Sequence, residues 1–417
     1  MTAAHAIVVC ANDDDAAATD NGFPTDVTGV NSPYARRRAI LAALAPAASA
    51  QFRLLPVGER EPTLDLARLA HAPGLVDYLE KAWERWVELG DRRCADFFHE
   101  HTVGAPEAAR TMNDGVPALV PANATFRDAL QQPGSALHAQ TCYYLVDRFT
   151  PIFHGLRDAL LSDLAVVRAA ASAVPFPLPA HEPDAPRPPL PPPVYALVTH
   201  PGHHATAQSV GGFCYLNSAA ILARLLQARA QESRRAGGMV AEAPCRVAIV
   251  DVDYHFGNGT ASIFYEDASV FVASLHADPE TEYPFNSGFA SQTGAGTAVG
   301  ATLCAPLAPY TRWDVAGTGG GETYEEALRR AIAAVSSHGA EALVVSLGVD
   351  AYAADPVHLP AAGVKLRLDD FERMGAVLAE ARLPTWLVQE GGYMLDIVGD
   401  AVRNVLCGLL RAQGHAT

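Results

Sequence analysis

Five short apolar runs in the second half of the chain decide what it can fold into: Val194–Val198, Val247–Val250, Val270–Leu275, Leu343–Leu347 and Trp386–Val388. None shows polar alternation, and each is followed by enough chain to hold a helix. A strand apolar on both sides must be buried on both faces, which a parallel sheet covered by helices provides. The clearest predicted helices are Asn217–Arg229, Glu322–Ser336 and Asp369–Arg382. The fold class is α/β.

The residues that follow four of these runs are the chemically dense part of the sequence. Val194–Val198 leads into Thr199-His200-Pro201-Gly202-His203-His204, and Val247–Val250 into Asp251-Val252-Asp253-Tyr254-His255-Phe256-Gly257-Asn258-Gly259. Leu343–Leu347 ends at Gly348-Val349-Asp350, and Trp386–Val388 at Gln389-Glu390-Gly391-Gly392-Tyr393. Open α/β sheets place their sites outside the carboxyl ends of the strands, so the four clusters should converge on one crevice.

Asp253 and His255 stand two apart, so on an extended segment they point the same way. With Asp350 they make a set of two carboxylates and one imidazole that leaves room for water or substrate, which suits a catalytic zinc. Iron or cobalt accepts the same ligands. His203 and His204 read as acid–base residues, with Asp251 and Asn258 as their partners; further metal ligands are the competing reading. Asp251 is charged and Asn258 neutral, so the two histidines should differ in basicity. Tyr393 reads equally as a donor to an oxyanion and as a core tyrosine after a turn.

The first half is less regular. Ala6–Cys10 is a short strand candidate, Asp13–Pro33 an acidic loop, and Leu75–Leu89 an amphipathic helix closed by Gly90. Residues 91–135 lose periodicity and read as a long excursion. Residues 175–193 hold ten of the chain's 30 prolines and read as an extended surface segment. Residues 231–244 and 309–322 read as further surface insertions, the second carrying the glycine run Gly317–Gly321.

With 30 Lys+Arg against 46 Asp+Glu the net charge is −16 over 417 residues, which disfavours nucleic acid as a partner. No apolar run reaches the roughly 18 residues of a membrane span, and the start lacks the basic, apolar pattern of a signal peptide. Seven scattered cysteines without a C-x-x-C pair fit a reducing compartment. The expectation is a soluble cytoplasmic protein.

Beyond these readings the motif series resembles a known family. His200-Pro201-Gly202-His203-His204, Gly212-Phe213-Cys214-Tyr215-Leu216-Asn217, Asp251–Thr260, Leu347-Gly348-Val349-Asp350 with Asp355-Pro356, and Glu390-Gly391-Gly392-Tyr393 look like zinc-dependent histone deacetylases. The Glu390-Gly391-Gly392-Tyr393 form, Ser274-Leu275-His276-Ala277-Asp278-Pro279 and Tyr78–Trp86 resemble the bacterial acetylpolyamine amidohydrolases.

The resemblance implies one catalytic domain over 1–417 with the arginase–deacetylase fold, a mostly parallel sheet with helices on both faces. It implies one Zn2+ per subunit on Asp253, His255 and Asp350, proton transfer by His203 and His204, and carbonyl polarisation by Tyr393. It further implies a K+ or Na+ ion near Asp251, Asp253, His255, Ser274 and Leu275, and a substrate pocket at Gly212, Phe213, Phe289, Gly391 and Gly392. The implied substrate is a small cationic acetylamide such as an acetylpolyamine, and the implied assembly a homodimer whose loop falls at 91–135. Acetyl-lysine peptide deacetylation, and ligand binding without turnover, are the alternatives; a binuclear manganese ureohydrolase would need a metal carboxylate where Tyr352 stands. This chain departs from the pattern at His200, where an arginine is usual, and at Phe256, where a second histidine is usual. The acidic residue expected in the dimer loop has no match near Asn123-Ala124-Thr125.

Overall fold

The structure is a computed structural model and describes residues 6–11, 33–45, 51–57, 59–89, 118–121, 131–178, 189–237, 244–358 and 363–414. Its strands are β1 (Ala6–Ala11), β2 (Phe52–Val57), β3 (Ala118–Leu119), β4 (Ile152–Phe153), β5 (Val194–Leu197), β6 (Val247–Asp251), β7 (Val270–Ala277), β8 (Thr302–Leu307), β9 (Ala342–Leu347) and β10 (Thr385–Gln389). Its helices are α1 (Pro33–Leu44), α2 (Pro73–Leu89), α3 (Leu137–Tyr144), α4 (Leu156–Ser172), α5 (Ser218–Ala236), α6 (Asn258–Phe264), α7 (Tyr324–His338), α8 (Leu368–Ala379) and α9 (Leu395–Ala412).

Eight strands form one sheet in the order β2-β1-β5-β10-β9-β6-β7-β8, and every neighbouring pair is parallel. β3 and β4 make a separate antiparallel pair. The apolar runs are strands because both faces of the sheet are covered. Val247 and Ile249 enter one core with side chains of α2, α4 and α5, while Ala248 and Val250 enter the other with side chains of α1, α7, α8 and α9. This is the period-two alternation of a strand, with apolar partners waiting on each side.

Local signals set several boundaries. Asn217 caps α5 by accepting the Ala220 amide at 3.0 Å. Thr323 and Glu326 form a reciprocal capping box on α7, and Gly339 ends that helix in the left-handed conformation.

Two expectations need correction. Residues 231–236 continue α5 rather than opening a surface insertion, because the helix carries through to Ala236 with Arg234 and Arg235 in its last turn. The proline-rich stretch begins inside the core, where Phe176 packs edge-on to Trp386 with ring centroids 5.4 Å apart. Residues 179–188 lie outside the described residues, as do most of 91–135 and the Asn123-Ala124-Thr125 segment. The 309–322 segment is irregular, as expected, but Trp313 within it is buried against Tyr324.

Among the described residues no helix is long and apolar enough to cross a membrane. Cys214, Cys245, Cys304 and Cys407 are buried thiols.

The strands that carry the four polar clusters, β5, β10, β9 and β6, are consecutive neighbours in the sheet. Parallel pairing puts their carboxyl ends side by side, and that is where the site forms.

Candidate active site

Two buried carboxylates shape the loop that leaves β5. Asp163 of α4 accepts the amides of Thr199 at 2.6 Å and His200 at 3.2 Å, and its Oδ2 lies 3.1 Å from His200 Nδ1. Glu390, just past β10, accepts the amides of Gly202 at 2.6 Å and His203 at 3.1 Å and the Ser346 hydroxyl at 3.1 Å. The backbone donors of an irregular buried turn are thereby satisfied by side chains, and the two histidines are held in place.

His203 and His204 lie with ring centroids 4.0 Å apart but have unlike partners. His203 Nδ1 is 2.9 Å from Asp251 Oδ2, while His204 Nδ1 is 2.7 Å from Asn258 Oδ1. Burial works against charge on His203, but Asp253, Asp251 and Glu390 outweigh it and hold its pKa well above the ordinary value. His204 is pushed well below the ordinary value by burial and by the neighbouring His203 and His255. The two rings are thus pulled in opposite directions, His203 toward the imidazolium and His204 toward the neutral base.

Asp253, His255 and Asp350 come together as expected. One donor atom from each lies within 4.8 Å of the others, and all three residues are buried. His255 Nδ1 is 3.2 Å from both Asp253 Oδ1 and Asp350 Oδ2. The surroundings lock the carboxylates: Asp253 Oδ2 accepts the Gly391 amide at 2.8 Å, and Asp350 Oδ1 accepts the Tyr254 amide at 2.9 Å. Gly391 must be glycine, since a Cβ there would collide with the Oδ2 atoms of both Asp350 and Asp253.

The donor set fits a divalent cation. Asp350 Oδ2 is buried and faces the His255 ring nitrogen at 3.2 Å, and two buried carboxylates this close are costly unless a positive charge lies between them. Although burial disfavours charge on His255, hydrogen bonds to Asp253 and Asp350 raise its pKa to about 10, so the two carboxylates draw a positive charge into the cluster. A divalent metal would supply that charge in place of the proton.

Tyr393 is buried at the same end of the sheet. Asp355 Oδ2 accepts its amide at 2.8 Å, and the Arg36 guanidinium stands 5.7 Å from its ring centroid. Burial raises its hydroxyl pKa well above the usual value, so the group keeps its proton. Phe213 adopts a positive φ of 67°, with its ring 6.0 Å from that of Tyr393. Gly212 beside it, at φ 58°, passes so close to His204 that a Cβ would overlap the imidazole. Asp251 and Ser274 are partners in the β6–β7 register, with Leu275 next along β7.

Phe289, expected in the pocket, lies on the loop that follows β7. The aromatic residue of this loop that meets the histidines is Tyr283, edge-on to His204 at 4.8 Å and 6.2 Å from His255. Phe289 instead follows Gly288 into a turn in which Gln292 accepts both of their amides. Phe256 packs against His276, ring centroids 4.7 Å apart. His276 is tied on both nitrogens, 3.0 Å from the Ser274 hydroxyl and 2.9 Å from the Gly288 carbonyl.

Sequence reasoning missed Arg36, Asp163, Tyr283 and the role of Glu390. Arg36 is buried and donates to the Thr199 carbonyl at 2.9 Å from Nη2. Asp163 carried one usable signal, a lone acid inside the apolar run of α4.

The histone deacetylase domain model matches residues 32–409. The chain is 33% identical over 351 residues to acetylpolyamine amidohydrolase 2 of Pseudomonas aeruginosa, covering 84% of this chain and 83% of that one. It is 31% identical over 350 residues to acetylpolyamine amidohydrolase of Mycoplana ramosa, covering 83% of each. The crystal structure of acetylpolyamine aminohydrolase from Burkholderia pseudomallei superposes with a TM-score of 0.68 at 28% identity, covering 91% of this chain and 90% of that one. A matching motif series, sheet and buried donor cluster therefore agree with the comparisons: the chain belongs to the histone deacetylase family of hydrolytic enzymes, on the side of the bacterial acetylpolyamine amidohydrolases.

Proposed function

We propose that the protein hydrolyses the amide of small cationic N-acetylated amines, acetylpolyamines foremost. The observation that carries the reaction is the unlike histidine pair beside the buried Asp253, His255 and Asp350 cluster. The relatives' acetylpolyamine activity supports the substrate class.

Zinc on Asp253, His255 and Asp350 would supply Lewis-acid polarisation of the carbonyl and a more acidic water. His204, neutral and oriented by Asn258, takes the proton of the attacking water on Nε2 and returns it to the departing amine nitrogen. His203, charged and paired with Asp251, stabilises the negative charge that develops beside it. The Tyr393 hydroxyl, which keeps its proton, donates to the oxyanion. Gly212, Phe213 and Tyr283 wall the approach to the acyl group. One catalytic domain spans residues 1–417; Asp251, Asp253, His255, Ser274 and Leu275 would hold a K+ or Na+ ion, and the working form is a cytoplasmic homodimer.

The test is a panel of acetylated polyamines and acetyl-lysine peptides on zinc-loaded protein. Turnover of the polyamines with little on peptides is the expected result. Turnover of peptides alone would overturn the substrate class and leave the chemistry standing.

A further inference from the structure

We propose that His358 is a positioning residue for the metal-holding cluster, fixed in one tautomer by Lys365. The proposal rests on the reading of Asp253, His255 and Asp350 as zinc ligands, and concerns what sets their spacing.

The cluster is built from two separate limbs. Asp253 and His255 follow β6, whereas Asp350 follows β9. A cation held between them requires the limbs to keep a fixed separation. His358 touches both. Its ring is stacked on Tyr254, the residue between the two β6 ligands, with centroids 4.0 Å apart and planes 23° apart. Its Nε2 lies 2.6 Å from the backbone carbonyl of Asp350. Tyr254 is itself cross-braced: its amide donates to Asp350 Oδ1 at 2.9 Å and its hydroxyl to Glu282 Oε1 at 2.8 Å. One imidazole thus spans the gap between the limbs.

The hydrogen bonds fix the tautomer. A carbonyl oxygen can only accept, so Nε2 carries the hydrogen; an ammonium can only donate, so Nδ1 offers its lone pair. Lys365 Nζ is 3.3 Å from His358 Nδ1 and donates to the Ala353 carbonyl at 3.2 Å. Lys365 is anchored in turn, since its amide donates to the Thr311 carbonyl at 2.8 Å and the following Leu366 forms an isolated bridge with Tyr352, two residues past Asp350. His358 meets the backbone of Asp350 rather than its carboxylate, so it acts by holding the ligand-bearing limbs at a fixed spacing, as outer partners of metal ligands do.

Zinc affinity, measured by competition with a chelator on the full-length chain, tests this independently of any substrate. His358→Ala should weaken zinc by up to about 10-fold, the lower end of the loss seen when a direct partner of a metal ligand is removed. His358→Gln places an amide N–H where Nε2–H stood and should recover most of the loss. Lys365→Met, at a partly exposed position, should weaken zinc in the same direction by a smaller factor. Thermal midpoints of the metal-free variants separate positioning from packing. Wild-type zinc affinity in His358→Ala, or a loss matched by metal-free destabilisation and not recovered by glutamine, would overturn the proposal. A wild-type chain that holds no zinc would overturn both this proposal and the reading of the ligands. A wild-type chain that binds zinc but ignores acetylated polyamines would overturn the substrate class alone.

Discussion

Asn258 Oδ1 lies 2.7 Å from His204 Nδ1, so the neutral ring carries its hydrogen on Nδ1 and turns the lone pair of Nε2 toward the cluster. The equivalent partner of His203 is a carboxylate, Asp251. Asn258→Asp would put a second carboxylate behind His204 and favour its imidazolium. The acidic limb of the kcat/KM profile should move upward by about one pH unit, with lower turnover at neutral pH. A limb that stays in place would remove His204 as the base.

Tyr393→Phe removes one hydroxyl and leaves the donor cluster intact. Loss of an oxyanion donor typically lowers kcat by about 100- to 1000-fold. Zinc content by elemental analysis should be unchanged. Near-normal turnover would reduce Tyr393 to a packing role.

His71 makes the fold sensitive to acid. Its Nδ1 lies 2.8 Å from the Thr206 carbonyl, and its Nε2 accepts the Asn217 amide at 2.8 Å, so the ring is neutral and joins the loop after His204 to the start of α5. Burial lowers its pKa from 6.5 to about 4. Between those values the unfolded chain binds the proton and the folded one does not. Stability is therefore fully present above pH 6.5 and falls as pH drops toward 4, by on the order of 3 kcal/mol for this group. Urea midpoints from pH 7 to pH 5 should show the decline. His71→Gln should be less stable at pH 7 and lose that part of the slope.

The second half of the chain was legible because its strands are buried on both faces and its ligands sit at strand ends. β5, β6, β7, β9 and β10 all appear within a residue or two of the apolar runs. Other elements gave no comparable signal. Arg36 belongs to a run of three arginines, which reads as a solvated helix face, yet it is buried beneath Tyr393. β8 mixes buried and half-buried positions and carries Pro306, a residue that argues against a strand within a sheet. Tyr283 was overlooked because its loop holds several aromatic residues, and only the turn geometry decides which faces His204.

Gly212→Ala tests how tightly the pocket wall is set. The backbone there has φ 58°, and the added methyl group would overlap His204. The imidazole must tilt away, and turnover should fall about 100-fold, the cost of displacing a catalytic group by about 1 Å. The thermal midpoint should move far less than for a core substitution. Full activity in this variant would place His204 elsewhere during turnover.

The position of β10 has a consequence for synthesis. It is the last strand in the chain, yet it lies between β5 and β9 in the middle of the sheet. Until residues 385–389 leave the ribosome, β5 and β9 each present an open, apolar edge of unpaired backbone, a template for pairing with other chains. The sheet closes only when that strand inserts, and the same insertion delivers Glu390, Gly391 and Tyr393 to the histidine loop and the Asp253 and Asp350 carboxylates. A chain that stops short of β10 is thus both without its tyrosine and adhesive, so chaperone demand should fall once that strand has inserted.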